Sequence, residues 1–262
     1  MSRATQVELL EQRIAANAAA QQIDLATWIF ERVHVEPAAR VLELCCGTGG
    51  QTLSLLDRVS DAGHVVALDI SKAALDTLTA KVGPIASKRL TCVESSLESL
   101  HSALHRSGAQ HDGFDLIFCA YGLYYSSDAE RTLQQCRQLL KLNGRIVVVG
   151  PFGPNNKHLF DLVRASGIAI AAPVVLSSES FMSQTVLPWG TRNFESLAVH
   201  TMVNPVCWTT PERVLNYWQS TTFYEAERRE DFERLVRAHF AEHSTFVNEK
   251  WVMLVEMSHG RV

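Results

Sequence analysis

The chain has 262 residues, 47% hydrophobic and 20% charged, and a net charge of −4 from 24 basic and 28 acidic side chains. That composition belongs to a globular protein with enough apolar material for a large core. It lacks the basic excess that nucleic-acid binding requires, and its longest apolar run, residues 168–176, is far too short to span a bilayer. The N-terminus reads without a charged leader followed by an apolar stretch, so the expected location is the cytoplasm. Cys45, Cys46, Cys92, Cys119, Cys136 and Cys207 form no C-x-x-C and no Cys/His metal spacing. They are expected as free thiols in a reducing compartment, with no metal.

Residues 7–33 carry apolar positions at helical spacing, rich in alanine, until Pro37 breaks the pattern. Five buried strands follow at residues 41–45, 64–69, 89–94, 114–119 and 145–150. Helical segments at 50–59, 71–82, 96–106 and 128–140 separate them. Strands alternating with helices predict a parallel sheet joined by right-handed crossovers. Beyond Gly150 the alternation stops. Residues 194–206 and 247–257 read as a sixth and a seventh strand. Helices predicted between them, at 211–219 and 225–243, are natural candidates for a lid over the strand tips. The expected fold class is α/β: a seven-stranded, mostly parallel Rossmann-like sheet with helices on both faces and a helical lid insertion. One domain is expected over residues 1–262, with 35–150 as a cofactor-binding core and 151–245 as substrate-side and lid elements.

The segment that carries chemistry is Val41-Leu42-Glu43-Leu44-Cys45-Cys46-Gly47-Thr48-Gly49-Gly50, a strand, a glycine turn and the start of a helix. In doubly wound sheets ligands sit beyond the carboxyl ends of the strands, near this first turn. Glycines there let backbone N–H groups approach a ligand at the positive end of a helix. Nicotinamide and flavin enzymes share such a turn, but their G-x-G-x-x-G fingerprint needs a third glycine where this chain has Thr52. Glu43, just before the turn, suits the amino group of an amino-acid-like ligand. Asp69 ends the next strand, 20 residues beyond Gly49, where a carboxylate accepts from two ribose hydroxyls.

With these residues in this order the chain resembles the class I S-adenosylmethionine (SAM)-dependent methyltransferases, over residues 35–150 and more loosely beyond. The family's first motif is an acidic residue followed by glycines at alternate positions, matched here by Glu43, Cys45, Gly47 and Gly49. Cys45 departs from the usual glycine, and its Cβ leads to the expectation of a negative φ. The resemblance implies that SAM is the cofactor, that Asp69 binds its ribose and that Ile70 packs on its adenine. Ser96, followed by Leu97, stands where family members commonly carry an acidic residue for the adenine amino group. Ala120 ends the fourth strand, in the segment that lines the family's active centre.

SAM brings its own activated methyl group, so the protein's task is to align an acceptor in a water-poor pocket. Aromatic faces tolerate the sulfonium, which makes Tyr121 a candidate catalytic residue and Tyr124 and Tyr125 candidates for acceptor binding. Asn155 and Asn156 follow the fifth strand and are candidates for the same task, although Gly, Pro and Asn are also what a tight turn there uses. His158 is the candidate base, because its pKa suits proton transfer near neutrality. His200 is read as structural, and Trp28, Trp189, Trp208, Tyr217, Trp218 and Tyr224 mostly as core or interface residues.

The expected activity is methyl transfer to an oxygen or nitrogen of a small polar metabolite. No Asn/Asp-Pro-Pro-Tyr/Phe follows the fourth strand, which speaks against a planar exocyclic amine. The expected partner is a small-molecule acceptor rather than nucleic acid or membrane, and a homodimer is the assembly to test. Two alternatives stay open. One is a nicotinamide-dependent oxidoreductase, opposed by Thr52 and by the lack of a Tyr-x-x-x-Lys pair; the other is an inactive binding protein of the same fold.

Overall fold

In the computed structural model, which describes residue 3 and residues 6–84, 86–109 and 113–259, the N-terminal helical pattern divides in two. α1 (Val7–Ala18) and α2 (Leu25–Phe30) replace the single helix predicted over residues 7–33. Tertiary pairing overrides propensity at the break. Gln21 bridges Val206 in antiparallel sense, and the Asn204 side chain brackets Ile23, accepting from its N–H at 3.0 Å and donating to its carbonyl at 2.7 Å.

β1 (Arg40–Leu44), β2 (His64–Asp69), β3 (Leu90–Glu94) and β4 (Phe114–Ala120) fall within one residue of their predicted bounds. β1, β2 and β4 are mostly buried Val, Leu, Ile, Ala and Phe, as strands covered on both faces require, whereas the edge strand β3 reads Leu-Thr-Cys-Val-Glu with only Val93 buried. α3 (Gly50–Leu56), α4 (Lys72–Lys81), α5 (Leu100–Arg106) and α6 (Ala129–Leu139) connect them into β5 (Leu140–Pro151). β5 begins earlier than predicted because Asn143-Gly144 is not a turn. Gly144 lies so close to β4 that an added Cβ would stand 2.6 Å from the Phe114 carbonyl oxygen. β1 pairs in parallel with β2 and β4, β2 with β3, and β4 with β5. With β6 (Ser196–Trp208) and β7 (Phe246–Ser258) the sheet has the order β3-β2-β1-β4-β5-β7-β6. The order turns back between β1 and β4, which makes their ends the switch point where such sheets bind ligands.

The chain divides into two compact units. The sheet unit, Leu25–Gly150 with Phe181–His200 and Met253–Val262, holds β1–β4 and most of β5. The second unit, Met1–Asp24 with Pro151–Ser180 and Thr201–Val252, contains, among the described residues, α1 and four further α-helices. The first of these, α7 (Lys157–Ala165), was hidden in the sequence behind the Asn- and Pro-rich turn before it. A helical run then passes from α8 (Ala172–Val175) through π-helical turns at Leu176–Ser180 and Met182–Val186 to α9 (Leu187–Asn193). The remaining two, α10 (Pro211–Ser220) and α11 (Arg229–Glu242), are the helices read as a lid. They close an aromatic core in which Trp218 stacks on Phe232 at 4.2 Å and Trp208 meets Tyr217 at 4.8 Å with the rings tilted by 35°. Trp28, Trp189, Trp208, Tyr217 and Trp218 are all buried, as expected of core residues, whereas His200 is exposed. Among the described residues no helix is long and apolar enough to cross a membrane.

Candidate functional site

β1 hands over to α3 through a turn in which Cys45, Gly47 and Gly49 all take positive φ, at 55°, 54° and 89°. For the glycines this is free; an added Cβ at Gly49 would also strike Leu78 Cδ1 at 2.3 Å. For Cys45 it corrects the expectation of a negative φ. The turn demands the left-handed conformation whatever residue sits there, at about 1 kcal/mol or more for one with a side chain. Room for that side chain comes from Gly122, after β4, where an added Cβ would fall 2.2 Å from Cys45 Cβ.

Asp69, at the end of β2, holds this turn in place. Its Oδ2 accepts from the Gly47 N–H and its Oδ1 from the Ser71 N–H, both at 2.8 Å. Ser71 in turn caps α4, its hydroxyl accepting from the Ala74 N–H at 3.3 Å. Beside Asp69, Ile70 is 60% exposed and offers an apolar face at the strand tip. Ser96 follows β3 in extended conformation with Leu97 buried behind it. The Ser96 hydroxyl turns to Glu98, whose carboxyl lies below its usual range, chiefly through the Ser127 N–H. Ala120 closes β4 half-buried.

Glu43 is buried within β1, and the Thr52 hydroxyl donates to its Oε2 at 2.5 Å. Burial pushes its carboxyl up to about 8; the Thr52 hydrogen bond opposes that rise and the charge of Asp69 adds to it. A carboxyl raised in this way keeps its proton in the fold after the unfolded chain has lost it. Stability should therefore fall as pH climbs from 4.5 towards about 8, by on the order of 5 kcal/mol over the whole window. Glu43→Gln, the neutral isostere, is expected to remove that slope. Scanning calorimetry should show its melting temperature gaining more over the parent at pH 8 than at pH 5. An equal difference at both would mean that Glu43 ionises in the fold as freely as in the unfolded chain.

After β4, Tyr121 takes φ 58° and its N–H donates to the Val149 carbonyl at 2.8 Å. Tyr124 packs between Tyr125 and Phe181, with ring centroids at 4.7 and 5.9 Å. Burial raises the Tyr124 phenol well above the usual tyrosine value, so at neutral pH it stays protonated and does not act as a base. Tyr125 is 60% exposed.

The remaining candidates belong to the second unit. Asn155 is buried and both ends of its amide are engaged: Nδ2 donates to Ser178 Oγ at 2.7 Å and Oδ1 accepts from the Trp251 N–H at 3.1 Å. Asn156 sits at φ 62° at the head of α7, and its Oδ1 accepts from Lys250 and Asn248. His158 is exposed, with Nδ1 donating to the Val247 carbonyl at 3.0 Å, which leaves Nε2 as the ring's acceptor. Among the described residues no group of three His, Cys, Asp or Glu side chains is placed to hold a metal ion.

Sequence reasoning missed three contributors. Thr52 stood out only as a glycine that was absent, yet it is the hydrogen-bond partner of Glu43. Ser71 and Gly122 had no local signal beyond a helix cap and a glycine. The cradle's groups suit SAM: a buried carboxyl with one hydroxyl partner, whose charged form an incoming ammonium would favour, a pinned glycine turn and an exposed apolar face for a base.

The ubiE/COQ5 methyltransferase family matches residues 23–162, just over half of the chain. A demethylmenaquinone methyltransferase of Lactobacillus johnsonii is 27% identical over 128 residues, 48% of this chain and 50% of that protein. A 2-phytyl-1,4-naphtoquinone methyltransferase of Trichormus variabilis is 29% identical over 124 residues, 47% of this chain and 51% of that protein. The chain thus spans about half the length of these curated relatives. The structure of YcgJ from Bacillus subtilis superposes with a TM-score of 0.61 over 90% of this chain and 98% of that one, at 15% identity. An arsenic(III) S-adenosylmethionine methyltransferase from Chlamydomonas reinhardtii gives 0.52 over 95% and 73%, also at 15% identity. At such identities these two likenesses speak for the fold alone.

Proposed function

Because the chain belongs to the ubiE/COQ5 methyltransferase family, we propose that it is a SAM-dependent methyltransferase acting on an oxygen or nitrogen of a small polar acceptor. The observation that carries the reading is the cradle of buried Glu43, the positive-φ turn Cys45–Gly49, and Asp69 tied to that turn. In this reading Glu43 takes the amino group of SAM, Asp69 the ribose hydroxyls, Ile70 and Leu97 the adenine, and Ser96 its amino edge. SAM supplies a methyl group already activated on a cationic sulfur. The protein's residues bind and orient it, exclude water and manage the acceptor's proton. Residues 35–150 form the cofactor core of one methyltransferase domain, and 151–245 supply the acceptor side.

The family match ends at residue 162, so it covers the candidates Tyr121, Tyr124, Tyr125, Asn155, Asn156 and His158 but not β6, α10 and β7. The relatives' names make naphthoquinones the first molecules to try. In reduced form a naphthoquinone carries phenolic oxygens, which also fit an oxygen acceptor. The test is calorimetric titration with SAM, S-adenosylhomocysteine and NADH, followed by mass spectrometry of products from SAM with phenols, amines and reduced naphthoquinones. Binding of both adenosyl ligands without NADH, and one product heavier by a methyl, supports the proposal. Binding of NADH alone would favour the oxidoreductase, and SAM binding without any methylated product the inactive binding protein.

A further inference from the structure

Cys45 stands where the family's first motif has glycine, and the turn holds it at φ 55°. A side chain in that conformation costs about 1 kcal/mol or more, and such strain is a pointer to function. At the end of β1, Leu44 pairs with Cys119 of β4. Strand alternation would send the next residue to the opposite face, away from Cys119. The left-handed turn at Cys45 ends the alternation, and the two thiols are hydrogen-bonded to each other. Both sulfurs also border Gly122: an added Cβ there would lie 2.7 Å from Cys45 Sγ and 3.5 Å from Cys119 Sγ. Residues one step apart on adjacent parallel strands have Cα atoms roughly 6 Å apart, a separation that disulfides bridge. Cys45, Cys119 and Gly122 all belong to the sheet unit.

The two thiols are not equivalent. Cys45 is half-buried and Cys119 is 2% exposed, so of the pair it is Cys45 that a small reagent reaches first. The adjacent Cys46 faces elsewhere: its Sγ donates to the Gly47 carbonyl at 3.7 Å, and it packs with Ala67, Leu75 and Leu78. Cys119 is held on both sides, because β4 pairs with β1 and with β5. The hydrogen bond to Cys119, burial and the carboxyls of Asp69 and Glu43 hold the Cys45 thiol above its ordinary range. Its thiolate is therefore scarce at neutral pH, and its oxidation speeds up as pH rises.

We infer that Cys45 and Cys119 are a modification site, a pair that forms a reversible disulfide and thereby weakens the cradle's hold on SAM; the second half rests on the methyltransferase reading. The oxidant is a hydroperoxide. The Cys45 thiolate attacks one peroxide oxygen, the O–O bond breaks, and the other oxygen leaves as water or an alcohol. Cys45 is then a sulfenic acid. Cys119 attacks its sulfur, and the hydroxyl departs as water with the Cys119 proton. Two thiols have lost two electrons and two protons, and the peroxide has taken up both. A small dithiol reverses the link by exchange. Closing the bond draws the sulfurs from hydrogen-bond contact to about 2 Å. With β4 held on both sides it is the Cys45 turn that moves, and with it the peptide groups that Asp69 ties down through Gly47.

The experiment treats the full chain with hydrogen peroxide at mildly alkaline pH and follows it by intact-mass and tandem mass spectrometry. The parent should become lighter by two hydrogens, with peptides cross-linked through Cys45 and Cys119, and dithiothreitol should restore the starting mass. Cys119→Ala should instead gain oxygen at Cys45, because its sulfenic acid meets no second thiol. Calorimetric titration should give a Kd for SAM about tenfold higher in the linked parent than in the reduced one, the loss of one or two backbone hydrogen bonds. Reduction should reverse that rise. A parent that keeps both thiols, that links either one to a different cysteine, or that binds SAM equally well when linked would overturn the inference. Reduced parent that binds no SAM, while the link still forms, marks failure of the methyltransferase reading instead.

Discussion

Asp69→Ala is expected to weaken binding of SAM and S-adenosylhomocysteine by two orders of magnitude or more. The carboxylate has two tasks. It accepts from the Gly47 and Ser71 N–H groups, which fixes the glycine turn against the head of α4. In the proposed complex its remaining lone pairs take the ribose hydroxyls. Hydrogen bonds to a charged group contribute about 1.5–3 kcal/mol each, so losing two at the ribose predicts roughly 100-fold or more in Kd. Loosening the turn adds to that loss. Asp69→Asn keeps one acceptor oxygen and should fall between the two. Isothermal titration of all three proteins decides the matter. An alanine variant binding within threefold of the parent would mean that Asp69 only supports the turn and that the ribose sits elsewhere.

Gly122→Ala should cost about 3 kcal/mol of folding stability and weaken SAM binding at least tenfold. Gly122 has φ −134°, which any residue adopts, so backbone strain is not the reason. Its new methyl would lie 2.2 Å from Cys45 Cβ and 2.7 Å from Cys45 Sγ. A Cβ is anchored to the backbone and cannot swing aside, so the β1 turn or the segment after β4 must move. Overpacking of this kind typically costs 1–3 kcal/mol, and here the displaced atoms belong to the turn that holds the ligand. Denaturant unfolding measures the first effect and calorimetric titration the second. A variant as stable as the parent would show that the two loop tips separate without resistance.

How much of this was legible depends on whether the cause was local. β1, β2 and β4 could be read to within a residue because a strand buried on both faces needs a nearly continuous apolar run, and β3 because a short β-branched and apolar stretch stops at Glu94 and two serines. Glu43, Gly47, Gly49 and Asp69 could be read because their spacing along one strand–turn–helix is itself the requirement of the ligand. The break after α1 could not, since Asn204 and Val206 arrive from far along the chain to make it. The φ of Cys45 was misjudged for the same reason: a side chain argues for negative φ until a glycine from another loop makes room. Asn155 was legible as a residue near a strand tip, but its amide is engaged by Ser178 and the Trp251 backbone, neither of which has any sequence spacing to announce it. The contact between Cys45 and Cys119 is likewise a product of the fold.

Cys45 and Gly122 occupy one volume between them, and this gives the history of the protein a direction. An ancestor with glycine at both positions could acquire a side chain at either one. Once cysteine was in place at 45, alanine at 122 was closed off, and a lineage that had filled 122 first could not have adopted cysteine. Related sequences should therefore carry a side chain at one of these positions or the other, with few at both, and a reversion at 45 would reopen a path at 122 that is now blocked.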